Sequence, residues 1–266
     1  MVGEVYISTH NLSIGYKHSH PLASHLNLQI KAGDVVALLG ANGIGKSTLM
    51  RTLCGIIPPL GGSINVMGEP LADMTRHVLA TRIAVAYTPT GLSGGMKVNQ
   101  FVELGRQPYT GIFGHLRSSD KEICRQAMQS TGIIHKQEAY MATLSDGERQ
   151  KATIARALAQ NTPVIYLDEP FSFLDPAARI EIMDLLTGIA SKKHKAILLT
   201  CHDVALSLRM ASRLWLFTTD GIVNDYTPRD AVSLRFMDKL YESDTVEFSP
   251  AAGDFVIKSV FKNITK

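Results

Sequence analysis

The chain has 266 residues, 45% hydrophobic and 19% charged, and its 27 basic against 24 acidic side chains leave a net charge of +3. That composition suits a globular protein with a sizeable core, and the charge is too mild to argue for nucleic acid or anionic lipid as a partner. No apolar run approaches the roughly 20 residues of a membrane span, so any membrane role is expected to come through another polypeptide. Met1-Val2-Gly3-Glu4 shows no basic-then-apolar leader and is expected to enter a folded strand almost at once. Residues 4 to about 35 alternate polar and apolar, which predicts antiparallel strands, among them Val5-Tyr6-Ile7 and Leu26-Asn27-Leu28-Gln29-Ile30. Four histidines lie here (His10, His18, His20, His25), but without neighbouring cysteines or paired carboxylates they make a poor metal site.

Val35 to Leu39 is an apolar run that predicts a buried strand. Gly40-Ala41-Asn42-Gly43-Ile44-Gly45-Lys46-Ser47 follows and reads G-x-x-x-x-G-K-[ST]. A helix is expected from Ser47 to about Ile56. Strand, glycine loop and helix in that order make a phosphate site. Gly40, Gly43 and Gly45 let backbone N–H groups converge on an anion without a Cβ in the way. Lys46 adds a point charge for the terminal phosphates. The Ser47 hydroxyl is suited to Mg²⁺, and the helix start, from Asn42 through Thr48, faces the anion. These residues imply a bound nucleoside triphosphate.

Pro58-Pro59-Leu60-Gly61-Gly62 then breaks the chain before a strand at Gly62 to Val66, and Ile83 to Tyr87 reads as another strand. Helical patterns occupy Val98 to Arg106, Ser119 to Thr131 and Gly147 to Gln160. They predict a helical subdomain, about 91–160, inserted between two sheet segments. Val164 to Leu167 suits a strand buried on both faces and ends on Asp168-Glu169-Pro170. Asp168 is placed to hold Mg²⁺, and Glu169, pointing elsewhere, to polarise water. Beyond it come a helix at 176–191, a strand at 196–200, a helix at 203–211 and a strand at 214–217. Asp220-Gly221 marks a turn, and an extension, about 229–266, carries a short helix and a hairpin. The expected fold is α/β: a mostly parallel sheet flanked by helices, with an N-terminal antiparallel part, forming one domain over 1–266. Cys54, Cys124 and Cys201 are too few and too scattered for a disulfide framework and suit a reducing compartment.

With these two motifs the chain resembles, over about residues 4–250, the nucleotide-binding subunit of ABC transporters. Leu144-Ser145-Asp146-Gly147-Glu148-Arg149-Gln150 is similar to the family's L-S-G-G-[QE] signature, with Asp146 in place of its first glycine. The resemblance implies that Ser145 and Gly147 meet the γ-phosphate held by the opposite subunit of a homodimer. Leu92-Ser93-Gly94-Gly95 matches the letters more closely, but Met96-Lys97 follows and no helix leads from it to the Asp-Glu-Pro strand, so it is read as a loop. The same resemblance implies that Tyr16 stacks on adenine, that Asp175 in Ser172-Phe173-Leu174-Asp175 couples the two sites, and that His202 contacts the γ-phosphate and the attacking water. Where the family usually has a Gln touching Mg²⁺, this chain has Thr90.

The family reading implies an ATPase using ATP and Mg²⁺, docked on a membrane permease at the cytoplasmic face of the inner membrane. It would meet a substrate-binding protein only indirectly, and no nucleic acid. Gly105-Arg106-Gln107-Pro108-Tyr109 resembles a segment of ATPases serving iron–siderophore, haem and vitamin B12 importers, which points to an iron chelate or cobalamin as cargo. Two other readings are an ABC transporter ATPase for another substrate and a soluble ABC-type ATPase outside transport. The latter carries long coiled coils, and no sustained heptad run is present. A non-hydrolysing module would be expected to lose Glu169 or His202, and both are present.

Overall fold

The computed structural model describes residues 3–87, 95–111, 114–240 and 245–258. The chain opens with strands β1 (Val5–Ile14), β2 (Ala23–Leu26), β3 (Gln29–Lys31) and β4 (Val35–Gly40), then helix α1 (Lys46–Leu53). Strands β5 (Gly61–Val66) and β6 (Glu69–Pro70), helix α2 (Arg76–Arg82) and strand β7 (Ile83–Tyr87) follow. Helices α3 (Val98–Glu103), α4 (Ser118–Ser130) and α5 (Asp146–Ala159) precede strand β8 (Val164–Asp168). The alternating part is α6 (Pro176–Lys193), β9 (Ala196–Thr200), α7 (Val204–Met210) and β10 (Arg213–Phe217). It closes on β11 (Val223–Tyr226), α8 (Pro228–Ser233) and the hairpin β12 (Val246–Ser249) and β13 (Asp254–Ile257).

Six strands form the central sheet in the order β11-β10-β4-β9-β8-β7. Every neighbouring pair from β10 to β7 is parallel, and β11 joins antiparallel at the edge. Alternate residues of each strand face opposite sides, so the all-apolar runs supply two cores at once. Val36, Leu38, Tyr166, Leu198, Trp215 and Phe217 face the N-terminal sheet and α1. Ala37, Leu39, Ile165, Leu167, Leu199 and Leu216 face the helices, in one cluster with Phe101, Met128 and Ile154. The helical insert is therefore continuous with the core of the sheet.

The N-terminal part is an antiparallel sheet ordered β2-β1-β5-β6, with β3 also paired to β1. The single strand expected over Leu26 to Ile30 is two. Strand β2 pairs with the far half of β1 (Leu12↔Leu26), and β3 with its near half (Val5↔Lys31). Between them the Thr9 hydroxyl accepts from the Leu28 N–H at 2.8 Å and donates to the Leu26 carbonyl at 2.9 Å, satisfying backbone groups that a continuous ladder would have used. Helix α1 stops at Leu53, three residues short of expectation. Gly55 takes φ +70, and the Ile56 N–H returns to the Arg51 carbonyl at 2.9 Å, which closes the helix. Helix α2 was not expected; Thr75 caps it, accepting from the Val78 N–H at 3.3 Å.

Candidate nucleotide site

Parallel pairing brings the C-terminal ends of β4, β9 and β8 side by side at one edge of the sheet, the place where open α/β sheets bind ligands. The glycine loop leaves β4 there. A Cβ on Gly40 would lie 2.7 Å from the Phe217 carbonyl oxygen, so the strand end admits glycine only. Gly43 and Gly45 take φ +77 and +122, which other residues adopt only under strain. Helix α1 starts at Lys46 with no side-chain cap and no acid in its first turn, which leaves its first N–H groups to the loop.

Lys46 is buried, and its Nζ donates to the Gly40 and Ala41 carbonyls at 2.7 and 3.0 Å. Desolvation lowers its pKa, while Glu169 and Asp168 act in the opposite sense. The ammonium is thus held inside the loop's own curve, facing the acids across the sheet edge. Tyr16 is 52% exposed, with its hydroxyl 3.4 Å from Thr48 Oγ1. This places an open aromatic face beside the helix start.

The carboxylates stand at the end of β8. Asp168 Oδ1 accepts from Thr200 Oγ1 at 2.8 Å. Glu169 takes φ +49, a left-handed conformation rare for a side chain of its kind. Its Oε1 lies 3.2 Å from His202 Nε2, and its Oε2 accepts from Ser172 Oγ at 3.0 Å. Desolvation raises the Glu169 pKa. The bonds from His202 and Ser172 and the charge of Lys46 outweigh it and hold the carboxyl below its ordinary value. A cleft of about 220 Å³, lined by Glu169, Ser172, Thr200 and His202 among others, opens beside these groups.

Oxygen donors of this kind fit Mg²⁺: the Asp168 carboxylate, with the Ser47 hydroxyl in the first turn of α1. The glycine loop, the buried lysine and the uncapped helix start fit a polyphosphate. Thr90, the expected substitute for a metal-touching Gln, and Ser93 of the second Leu-Ser-Gly-Gly lie outside the described residues.

The signature-like segment Leu144 to Gln150 lies at the start of α5. Ser145 caps it, accepting from the Glu148 N–H at 3.3 Å, while Glu148 Oε2 accepts from the Ser145 N–H at 2.9 Å. Asp146, where the family has glycine, pairs with Arg149 at 2.7 Å one turn on, a favourable place for an acid. A Cβ on Gly147 would meet Ala178 at an ordinary 3.9 Å, which sets this helix start beside the first turn of α6. Asp175 caps α6, accepting from the Ala178 N–H at 2.9 Å.

The Gly-Arg-Gln-Pro-Tyr segment is an internal clamp. Arg106 and Asp120 are buried together with N–O contacts of 2.9 Å, and the same guanidinium donates to the Ala159 carbonyl. Tyr109 stacks under Arg106 and donates to the Gln160 carbonyl at 2.9 Å. Gly105 is required because a Cβ would lie 2.3 Å from the Arg156 carbonyl oxygen. The last turn of α5 is thereby capped, and Gln160 Nε2 ties it to the Ala80 and Ile83 carbonyls at 2.6 and 3.1 Å.

Sequence reasoning missed Thr200 and Ser172 as site residues. The one available signal was a small hydroxyl residue at a strand end (Thr200) or in the turn beyond one (Ser172), within two or three positions of an acid or histidine already singled out.

Residues 23–172 match the family model described as ABC transporter. The chain is 34% identical over 230 residues to the ferric enterobactin transport ATP-binding protein FepC of Escherichia coli, covering 86% of this chain and 84% of that one. It is 32% identical to the probable siderophore transport system ATP-binding protein YusV of Bacillus subtilis, covering 90% and 87%. A solved structure of cbiO1 from Clostridium perfringens, part of the ABC transporter complex cbiONQ, matches with TM-score 0.78 and 26% identity over 88% of this chain and 93% of that one.

Proposed function

The chain belongs to the ABC transporter family as an ATP-binding subunit with ATPase activity, and from that premise we propose that it powers import of an iron chelate or cobalamin, with Asp168 and Glu169 dividing the work at the phosphate. The observation that carries the reading is the convergence of Lys46, Asp168, Glu169 and His202 on one sheet edge.

In this reading Tyr16 stacks on the base. The segment Gly40, Asn42, Gly43, Gly45, Lys46, Ser47 and Thr48 cradles the phosphates, and Ser47 and Asp168 would hold Mg²⁺. Bound Mg²⁺ supplies charge neutralisation at the terminal phosphates. Glu169, ionised at neutral pH, takes a proton from the attacking water, and His202 holds that carboxylate and the γ-phosphate side in register. Ser145, Gly147 and Asp175 complete the site of a second copy of the chain. The helical insert at about 91–160 and the extension from about 229 belong to the same single domain.

No helix among the described residues is long and apolar enough to cross a membrane. We assign the membrane step to a permease, with this subunit on the cytoplasmic face. Two adjoining grooves, about 470 and 520 Å³, share Gly55, Ile56, Arg76 and Leu79 at their border. They run between α2 and the end of α1, the smaller reaching Gln160, and suit an apolar helix of that permease. The chelate reading rests on the relatives. Cargo choice itself lies with the permease.

Glu169→Gln should bind ATP normally and lose about 10²–10⁴ in turnover, since only the proton acceptor is removed. Unchanged turnover removes Glu169 as the base. Uptake of iron chelates and of cobalamin, measured in vesicles holding the co-purified permease, tests the cargo. Uptake of neither ends the chelate proposal.

A further inference from the structure

Strands β8 and β9 run parallel in register from Val164↔Ala196 to Leu167↔Leu199, and the ladder goes no further. At the next position Thr200 takes over with its side chain. Its hydroxyl accepts from the Glu169 N–H at 2.7 Å and donates to Asp168 Oδ1 at 2.8 Å. Thr200 is 0% exposed, so neither bond is shared with bulk water at that oxygen. One oxygen with one proton and two lone pairs can do both at once. The two bonds fall on consecutive residues at the point where the backbone turns left-handed, at Glu169 φ +49. The backbone N–H of one acid and the carboxylate of the other are thereby referred to a single buried atom.

We propose that Thr200 is a positioning residue for ATP hydrolysis, fixing the metal-side carboxylate of Asp168 relative to the water-side carboxylate of Glu169. The inference rests on the roles given to those two acids above. Thr200 has no exposed surface. It acts by holding the acids to the end of β9, the strand that also carries His202 just beyond its end. Valine has the same shape, so Thr200→Val deletes the hydroxyl with little change in packing. The Glu169 N–H would then lose that bond where the chain is strained, and Asp168 would lose the donor at its Oδ1.

The test compares the full chain with Thr200→Val and Thr200→Ser, with Asp168→Asn and Glu169→Gln as controls. Steady-state turnover and equilibrium ATP binding, with Mg²⁺ and with EDTA, are measured for each. Thr200→Val should lose about 10–100-fold in kcat and weaken ATP binding in Mg²⁺ but not in EDTA. Thr200→Ser keeps the hydroxyl and should restore both. Wild-type turnover and Mg²⁺ dependence in Thr200→Val overturn the proposal, as does a serine variant as impaired as the valine one. Equal loss of binding with and without Mg²⁺ also overturns it, since that marks general disruption. If the valine variant does not fold, the serine variant decides: retained turnover and Mg²⁺ dependence support the proposal, and their loss overturns it. Active Asp168→Asn and Glu169→Gln controls would defeat the underlying reading of the acids instead.

Discussion

Two helix starts, α1 and α5, make the instructive contrast in this molecule. Helix α1 begins with no side-chain cap, a glycine at φ +122 before it and a buried lysine as its first residue. Helix α5 begins with a complete capping box, an acid paired to its own next turn and a glycine that no described neighbour crowds. The first start is shaped by the chain and unsatisfied. The second is satisfied by the chain, and the fold around it does not require its glycine. At the first, a phosphate meets N–H groups that no side chain caps. At the second, an anion must compete with the Glu148 carboxylate for the Ser145 N–H. The Glu148 pKa is lowered, first by the backbone bond from Ser145 and also by Lys136, so that carboxylate is charged at neutral pH. On the proposed reading, the α1 start suits resident nucleotide and the α5 start a transient contact.

The largest expected effect breaks the first half of the contrast. Lys46→Ala removes the ammonium held inside the loop's curve and should abolish ATP binding, or at least hydrolysis. Wild-type turnover in that variant would falsify the assignment of the loop. Ser145→Arg comes next. It should stop hydrolysis while leaving ATP binding at the P-loop measurable, because the two starts act at different stages. Equal loss of binding would merge them into one site. In mixtures with Lys46→Ala chains, heterodimers should keep at most one intact composite site.

Smaller effects sharpen the contrast. Glu148→Gln keeps the geometry of the capping box and removes the competing charge. A few-fold gain in apparent ATP affinity during turnover is expected, of the size of a surface charge contribution. A loss instead would mean that the carboxylate assists the anion. The same substitution carries a pH signature. Glu148 has a depressed folded pKa, so its contribution to stability is present above the ordinary carboxylate value and is lost as pH falls through the folded one. The melting-temperature difference between wild type and Glu148→Gln should therefore shrink below about pH 4.5. A difference that is flat across pH 3 to 7 contradicts the cap as drawn.

How much of this was legible in the sequence follows from what each feature depends on. The glycine loop and the Asp168-Glu169 pair are local patterns, and the chemistry of each is complete within a few residues. The alternating strands and helices after 164 were legible for the same reason. Thr200 was not, because its meaning depends on β9 lying against β8, a pairing between residues 32 positions apart. The split of Leu26 to Ile30 depends on the side chain of Thr9, seventeen and nineteen positions away from its partners. The Gly105 to Tyr109 segment was legible as letters, but its work of capping α5 appears only when the helix end is set against it. Letters shared with a transporter class can thus record a packing solution as readily as a cargo.

The backbone at Glu169 has a consequence for how this protein would respond to selection. A glycine or asparagine would occupy φ +49 with less strain than glutamate. Variants screened for heat tolerance alone should therefore drift at this position toward residues that cannot take a proton from water. Recovering a thermally hardened but inactive chain altered at 169 would show that the conformation needed for the reaction stands against the conformation the backbone prefers.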